Sequence, residues 1–238
     1  MKNFIDRENE LQFLEDQYLA SSASLIVLYG RRRVGKTALM THFIQNKRAL
    51  YFLVTEESEH QNRNAFKDMV ADFTENALLK AAAVDHWDLI FQTLVDSITD
   101  ERLIILIDEF QYLGKSNPAF PSIFQKIWDT ILKDRNVMVI LCGSLISMME
   151  SQTLSYSSPL YGRRTGQIKL KQIPFSYYNK FFPDKGLREL IEYYAVTGGV
   201  PKYIELFHSE NDIYQAISKN VLQKSSFLYD EPNFLLQR

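Results

Sequence analysis

Residues 30–37 read Gly-Arg-Arg-Arg-Val-Gly-Lys-Thr and match G-x-x-x-x-G-K-S/T at every fixed position. Each fixed residue type has a physical reason. Glycine lets the backbone curl until successive N–H groups converge on one anion, and a helix opening here adds partial positive charge. Lys36 supplies a cation with the reach of β- and γ-phosphate oxygens, and the Thr37 hydroxyl suits a Mg²⁺ ion. Gly30, Arg31, Arg32, Arg33, Val34, Gly35, Lys36, Thr37 and Ala38 are therefore the expected phosphate-contacting stretch. A second pair, Asp108-Glu109, follows the run Leu103-Ile104-Ile105-Leu106-Ile107. Asp108 is expected in the Mg²⁺ shell, and Glu109 suits polarisation of a water for attack on a γ-phosphate. ATP or ADP with Mg²⁺ is the ligand that these residues predict. Guanine specificity is disfavoured, since no Asn-Lys-x-Asp element occurs and Asn46-Lys47 continues as Arg48-Ala49.

The elements that must position these groups are short apolar runs alternating with longer amphipathic stretches. Strands are expected at 25–29, 49–54, 103–107 and 137–141, with a fifth at 167–170. Their runs are continuous in apolar character, which predicts a mainly parallel sheet covered by helices on both faces. Helices are expected at 37–45, over most of 59–98 and at 122–133, the last preceded by a loop at 114–118. Asp108-Glu109 then falls at the C-terminal end of a buried strand, where open α/β sheets bind ligands. Beyond Pro174 the strand pattern stops and Tyr and Phe recur at helical spacing. The chain thus divides into an α/β core, 1–173, and a small helical domain, 174–238, whose aromatics (Phe175, Tyr177, Tyr178, Phe181, Phe182, Tyr193, Tyr194, Tyr203, Phe207) are expected to pack on one another.

Composition sets outer bounds. The chain has 238 residues, 46 % hydrophobic, with 9 Gly and 7 Pro, which excludes disordered and collagenous classes. Twenty-seven basic against 29 acidic side chains leave a formal charge of −2, so no general positive field draws nucleic acid or anionic lipid. One cysteine, the N-terminus MKNFIDRENEL and the lack of a membrane-length apolar run together predict a cytoplasmic protein with no membrane partner. His42, His60, His86 and His208 are scattered without metal-ligand spacing, and Cys142 reads as a small core residue. Ser144 lies in Cys-Gly-Ser-Leu-Ile, which is not a G-x-S-x-G nucleophile elbow.

Three segments together, Phe4-Ile5-Asp6-Arg7-Glu8-Asn9-Glu10-Leu11, YGRRRVGKT and LIDEFQYL, resemble the archaeal-type ATPase family of the AAA+ (P-loop NTPase) superfamily. The resemblance implies a five-stranded parallel P-loop core with a C-terminal helical lid. It implies that Phe4, Ile5 and Arg7 lie beside the adenine and that Ser144 is a polar sensor between Glu109 and the γ-phosphate. Leu160-Tyr161-Gly162-Arg163-Arg164-Thr165 resembles the stretch that supplies an arginine finger to a neighbouring subunit, which implies self-association. Thr197-Gly198-Gly199-Val200-Pro201-Lys202-Tyr203 resembles the family's lid turn, where Pro201 and Lys202 approach the nucleotide. Family members continue into a winged helix and a further domain, so the resemblance implies that this chain is a fragment whose DNA or protein partner is met by the remainder.

Two functions follow. In the first, ATP with Mg²⁺ sets the angle between core and lid, and hydrolysis resets it. In the second, the domain holds nucleotide with negligible turnover and presents surfaces to DNA or to a protein. Intact Lys36, Thr37, Asp108 and Glu109 favour the first, and the acid pair suits activation of water better than phosphorylation of an alcohol.

Overall fold

A computed structural model describes residues 4–99, 101–210 and 212–236. The apolar runs build β1 (Ser24–Tyr29), β2 (Ala49–Leu53), β3 (Leu103–Asp108), β4 (Val137–Gly143) and β5 (Gly166–Lys169), in the order β2-β3-β4-β1-β5. Every neighbouring pair is parallel, with Val27 beside Leu141 and Gln167, and Phe52 beside Ile107. All residues of β1, β3 and β4 are buried, as continuous apolar strands require. β2 and β5 stand at the two edges and alternate between buried and more exposed positions. This is the expected five-stranded parallel sheet flanked by helices.

Two compact units make up the chain: Asn9–Arg32 with Lys36–Leu170, and Met1–Glu8 with Arg33–Gly35 and Lys171–Arg238. In the larger unit the region 59–98 resolves into helices Glu59–Phe73, Ala77–Ala81 and Trp87–Asp96. Ser58 and Gln61 form a reciprocal capping box on the first of these. Phe66 packs its ring 5.0 Å from Phe52 and 4.9 Å from Phe91, which seals the β2 side of the sheet. The loop expected at 114–118 starts later, because Gly114 lies inside the helix Gln111–Ser116. Close approach rather than turning explains the glycine: a side chain there would meet the Gln152 amide at 2.5 Å. The helix Phe120–Ile127 runs into a π-helical turn, Trp128–Leu132.

The smaller unit has its own core of Ile173, Tyr178, Phe182, Leu190, Tyr193, Ile204, Phe207, Ile213, Ala216 and Leu228. The aromatics do pack on one another, Phe182 against Tyr193 at 4.6 Å and Tyr178 against Tyr194 at 4.9 Å. Gly198 and Gly199, at φ +57° and +73°, end the helix Leu187–Thr197 and start Pro201–Phe207. Gly199 donates to the Tyr178 hydroxyl at 3.0 Å and its carbonyl accepts Ile173 N at 2.8 Å. A β-carbon on Gly199 would collide with the Ile173 carbonyl, whereas one on Gly162, also at positive φ, meets nothing within 4 Å. Gly199→Ala is therefore expected to cost more than Gly162→Ala, by about 1–3 kcal/mol. Thermal unfolding of the two variants side by side checks this; equal losses would mean that φ, not the collision, sets the cost.

Candidate functional site

The helix Lys36–Phe43 opens directly after the glycine-rich stretch, so the loop ends at a helix N-terminus. Strain concentrates in this loop, where Arg33 stands at φ +69° and Gly35 at φ +95°. In the larger unit the buried Lys36 ammonium donates to the carbonyls of Gly30 (3.0 Å) and Arg31 (3.1 Å). Burial pulls the Lys36 pKa below its ordinary value, while Cys142, Glu109 and Asp108 pull it back up. The lysine and both carboxylates thus sit close enough to feel one another. Thr37 and Ala38, on the first turn, are exposed, as are Arg31 and Arg32. Arg32 donates to the Tyr112 hydroxyl at 3.2 Å.

Asp108, the last residue of β3, is buried, and its carboxylate accepts from Glu109 N, the Tyr51 hydroxyl and the Cys142 thiol. Oδ1 accepts Glu109 N at 2.9 Å and Oδ2 accepts the Tyr51 hydroxyl at 2.6 Å. Burial, then the bond to Asp108, raises the Tyr51 pKa, so the phenol stays protonated and donating. Cys142, on β4, is buried and its thiol is pushed well up, by burial first and then by Asp108. Glu109 is a turn residue at φ +54°. Its Oε2 accepts Ser144 Oγ (2.8 Å), Ser144 N (3.2 Å) and Gln111 Nε2 (2.5 Å). Ser144 and Glu109, expected on separate strand ends, therefore meet.

A hard cation fits this donor set. The Asp108 carboxylate has four lone-pair positions and accepts from Glu109 N, the Tyr51 hydroxyl and the Cys142 thiol, which leaves one for a cation, and Thr37 offers an exposed hydroxyl; Mg²⁺ takes one or two protein oxygens plus phosphate oxygens and water. Among the described residues no cluster of three or more His, Cys, Asp or Glu side chains makes a cage for any other metal.

In the smaller unit Arg7 is buried and donates to the carbonyls of Val34 (3.2 Å) and Lys171 (2.8 Å). The guanidinium expected beside adenine is thus committed to main chain, with Phe4 and Ile5 half-buried next to it. Val34 is buried. Arg33 is ion-paired to Glu231, donates to the Tyr203 hydroxyl at 3.4 Å and lies 4.5 Å over the Phe227 ring. A β-carbon on Gly35 would stand 3.9 Å from Pro201, while Lys202 pairs with Glu205 at 3.1 Å.

Arg163 and Arg164 differ sharply. Arg163 grips Asp129 through Nε at 2.9 Å and Nη2 at 2.7 Å and donates to the Pro159 carbonyl at 2.8 Å. The bond to Asp129 raises the Arg163 pKa and holds the Asp129 carboxyl below its usual range. Arg164 makes a looser contact, 5.7 Å from the Tyr161 ring centre.

Tyr51 and Gln111 were not marked by sequence pattern. Tyr51 reads as one more aromatic in a strand, and its signal was the β2–β3 pairing, which sets it beside Leu106. Gln111 stands two residues after Glu109, and its signal was a polar side chain enclosed by Phe110 and Tyr112.

Comparison with known proteins gives this geometry a family. Residues 4–207 match the family described as "ATPase domain predominantly from Archaea". The chain belongs to that family. An uncharacterised protein of Methanocaldococcus jannaschii is 36 % identical over 234 residues, covering 98 % of this chain and 50 % of that protein, so the chain spans half the length of that relative. A second protein of the same organism, described as ATP-binding, is 53 % identical over 45 residues, 19 % of this chain and 76 % of that one. Among solved structures, the Walker-type ATPase of Pyrococcus abyssi has a TM-score of 0.72 at 20 % identity, covering 99 % of this chain and 76 % of that one. The ORC1 protein of Aeropyrum pernix, solved in complex with DNA, has a TM-score of 0.62 at 14 % identity, covering 92 % and 66 %. These two likenesses show that the chain shares their fold. Among the described residues no helix is long and apolar enough to cross a membrane.

The two arginines are separable by stability. Arg163→Ala releases a half-exposed, two-point ion pair and is expected to cost up to about 1 kcal/mol. Arg164→Ala is expected to stay within about 0.5 kcal/mol of wild type. Urea midpoints measured together decide; equal midpoints would mean that Asp129 finds another partner.

Proposed function

We propose that this domain binds ATP with Mg²⁺ and hydrolyses it, using the bond cleavage to switch conformation. The observation that carries the reading is Glu109. A carboxylate held on one oxygen by three donors, beside a buried lysine and a buried aspartate, is arranged to act on a water rather than to bind a cation by itself. Lys36 takes the β- and γ-oxygens in exchange for the two loop carbonyls it now holds. Thr37 and Asp108 would hold Mg²⁺, which would supply neutralisation of the phosphate charge. Tyr51 keeps the Asp108 carboxylate turned toward that position. Glu109 orients a water in line with the γ-phosphorus. The water oxygen bonds phosphorus as the bridging bond to the β-phosphate breaks, ADP leaves with that electron pair, and the water proton passes by way of Glu109 to solvent. Ser144, by hydrogen-bonding Glu109, ties the acid to the end of β4.

Two variants test the core of this reading. Lys36→Ala is expected to lose tight ATP-Mg²⁺ binding by calorimetry, because it removes the ammonium fixed against the phosphates. Glu109→Gln is expected to bind ATP as wild type and to lose about two orders of magnitude in turnover. Unchanged affinity in the first would remove the phosphate-loop reading, and turnover near wild type in the second would hand the water-polarising role to another residue; a wild-type protein that binds ATP without turnover would favour the nucleotide-holding interaction module.

Self-association is part of the proposal, with Arg164 as the residue offered to a neighbour's γ-phosphate. Arg163 is committed to Asp129, whereas among the described residues Arg164 lies against the Tyr161 ring, a contact from which a guanidinium can be redirected at small cost. Mixing Arg164→Ala with Lys36→Ala pairs an intact pocket with an intact arginine, so turnover should partly recover as concentration rises. No recovery in mixtures that assemble by light scattering would return Arg164 to the surface. With a net charge of −2, any DNA contact would rest on a local surface.

A further inference from the structure

Gln111 opens the helix that follows Glu109, and none of its surface is exposed. Its Nε2 donates to Glu109 Oε2 at 2.5 Å, while its Oε1 is buried with no hydrogen-bond partner. Its main-chain carbonyl accepts Gln152 Nε2 at 3.2 Å, and Gln152 Oε1 is likewise buried and unpartnered. A half-satisfied amide is a net cost to the fold, and methionine would fill the same space without it. Room has also been made for this amide: a β-carbon on Gly143 would collide with Gln111 Oε1 and with Met149. Packing does not account for a glutamine kept under those conditions.

Hydrogen bonding to Glu109 does account for it. Both Ser144 donors approach Oε2 from the end of β4, and two donors on one side leave the carboxylate free to pivot about its last carbon–carbon bond. Gln111 Nε2 adds a third donor from the chain following β3. With Oε2 fixed from two elements, Oε1, which accepts no hydrogen bond among the described residues, is the oxygen left for water. We infer that Gln111 is a positioning residue for hydrolysis, locking Glu109 so that Oε1 faces the attacking water. The inference rests on the reading of Glu109 as the group that polarises that water.

Steady-state ATP turnover in three variants tests it. Gln111→Met keeps the shape and removes the donor; kcat should fall about tenfold to a hundredfold with KM for ATP unchanged. Gln111→Asn keeps an amide donor on a side chain one carbon shorter, so it packs worse than Gln111→Met but can still donate. Its kcat should lie between those of Gln111→Met and wild type, an order that lost packing does not produce. A Gln111→Met kcat within about twofold of wild type, or a Gln111→Asn kcat at or below that of Gln111→Met, overturns the inference. Glu109→Gln, run alongside, separates the two failures. If it turns over normally, the water-polarising reading itself falls; if it is inactive while Gln111→Met is active, only the positioning assignment falls. Should Gln111→Met not fold, Gln111→Leu takes its place in the comparison with Gln111→Asn.

Discussion

β3 is apolar and buried from Leu103 to Ile107 and then delivers two carboxylates at the point where the core stops. Charge at such a boundary is tolerable only if donors converge on it. The surrounding structure meets that demand from three sides. β2 sends the Tyr51 hydroxyl, β4 continues into Ser144, and the main chain turns at Glu109 so that its own N–H reaches back to Asp108. The parallel order β2-β3-β4 is what makes this possible, because parallel strands end on the same side. Antiparallel neighbours would have brought strand beginnings there instead.

The glycine-rich loop answers the same constraint with the opposite sign. Lys36 is buried, and two carbonyls of its own loop take the place of water. Elsewhere the chain repeats the device: Arg102 spends its guanidinium on the carbonyls of Ala20 and Ser22, and Arg7 on those of Val34 and Lys171. Arg163 and Arg33 are held by carboxylates instead, Asp129 and Glu231. The acceptors of Lys36 belong to a strained loop, where φ reaches +69° at Arg33, and the Val34 carbonyl held by Arg7 belongs to the same loop.

Much of this was legible from residue order. Continuous apolar runs gave away the buried strands, since no amphipathic strand is apolar at every position, and the glycine-lysine-threonine spacing located the loop by chemistry alone. Side-chain pairing across elements was not legible. Nothing local to Arg163 says that Asp129, thirty-four residues earlier, holds it, and Arg163 and Arg164 look equivalent in sequence. Gly114 carried the signature of a loop because glycine is read by its flexibility. Its function here is absence of volume beside Gln152, a property of the partner and not of the segment.

Gln152 lies in a π-helical turn, Glu150–Leu154, that extends the helix Ile146–Met149 and closes with Ser155 N on the Glu150 carbonyl at 2.7 Å. Such a turn holds one residue more than an α-helical turn. Deleting a residue ahead of Gln152 would restore ordinary pitch and swing its side chain by about 100° around the axis, off the Gln111 carbonyl. The stretch from Ile146 to Leu154 is thus a measured spacer. Its outward side chains can change freely, but it cannot gain or lose a residue without detaching the helix from the turn that carries Glu109.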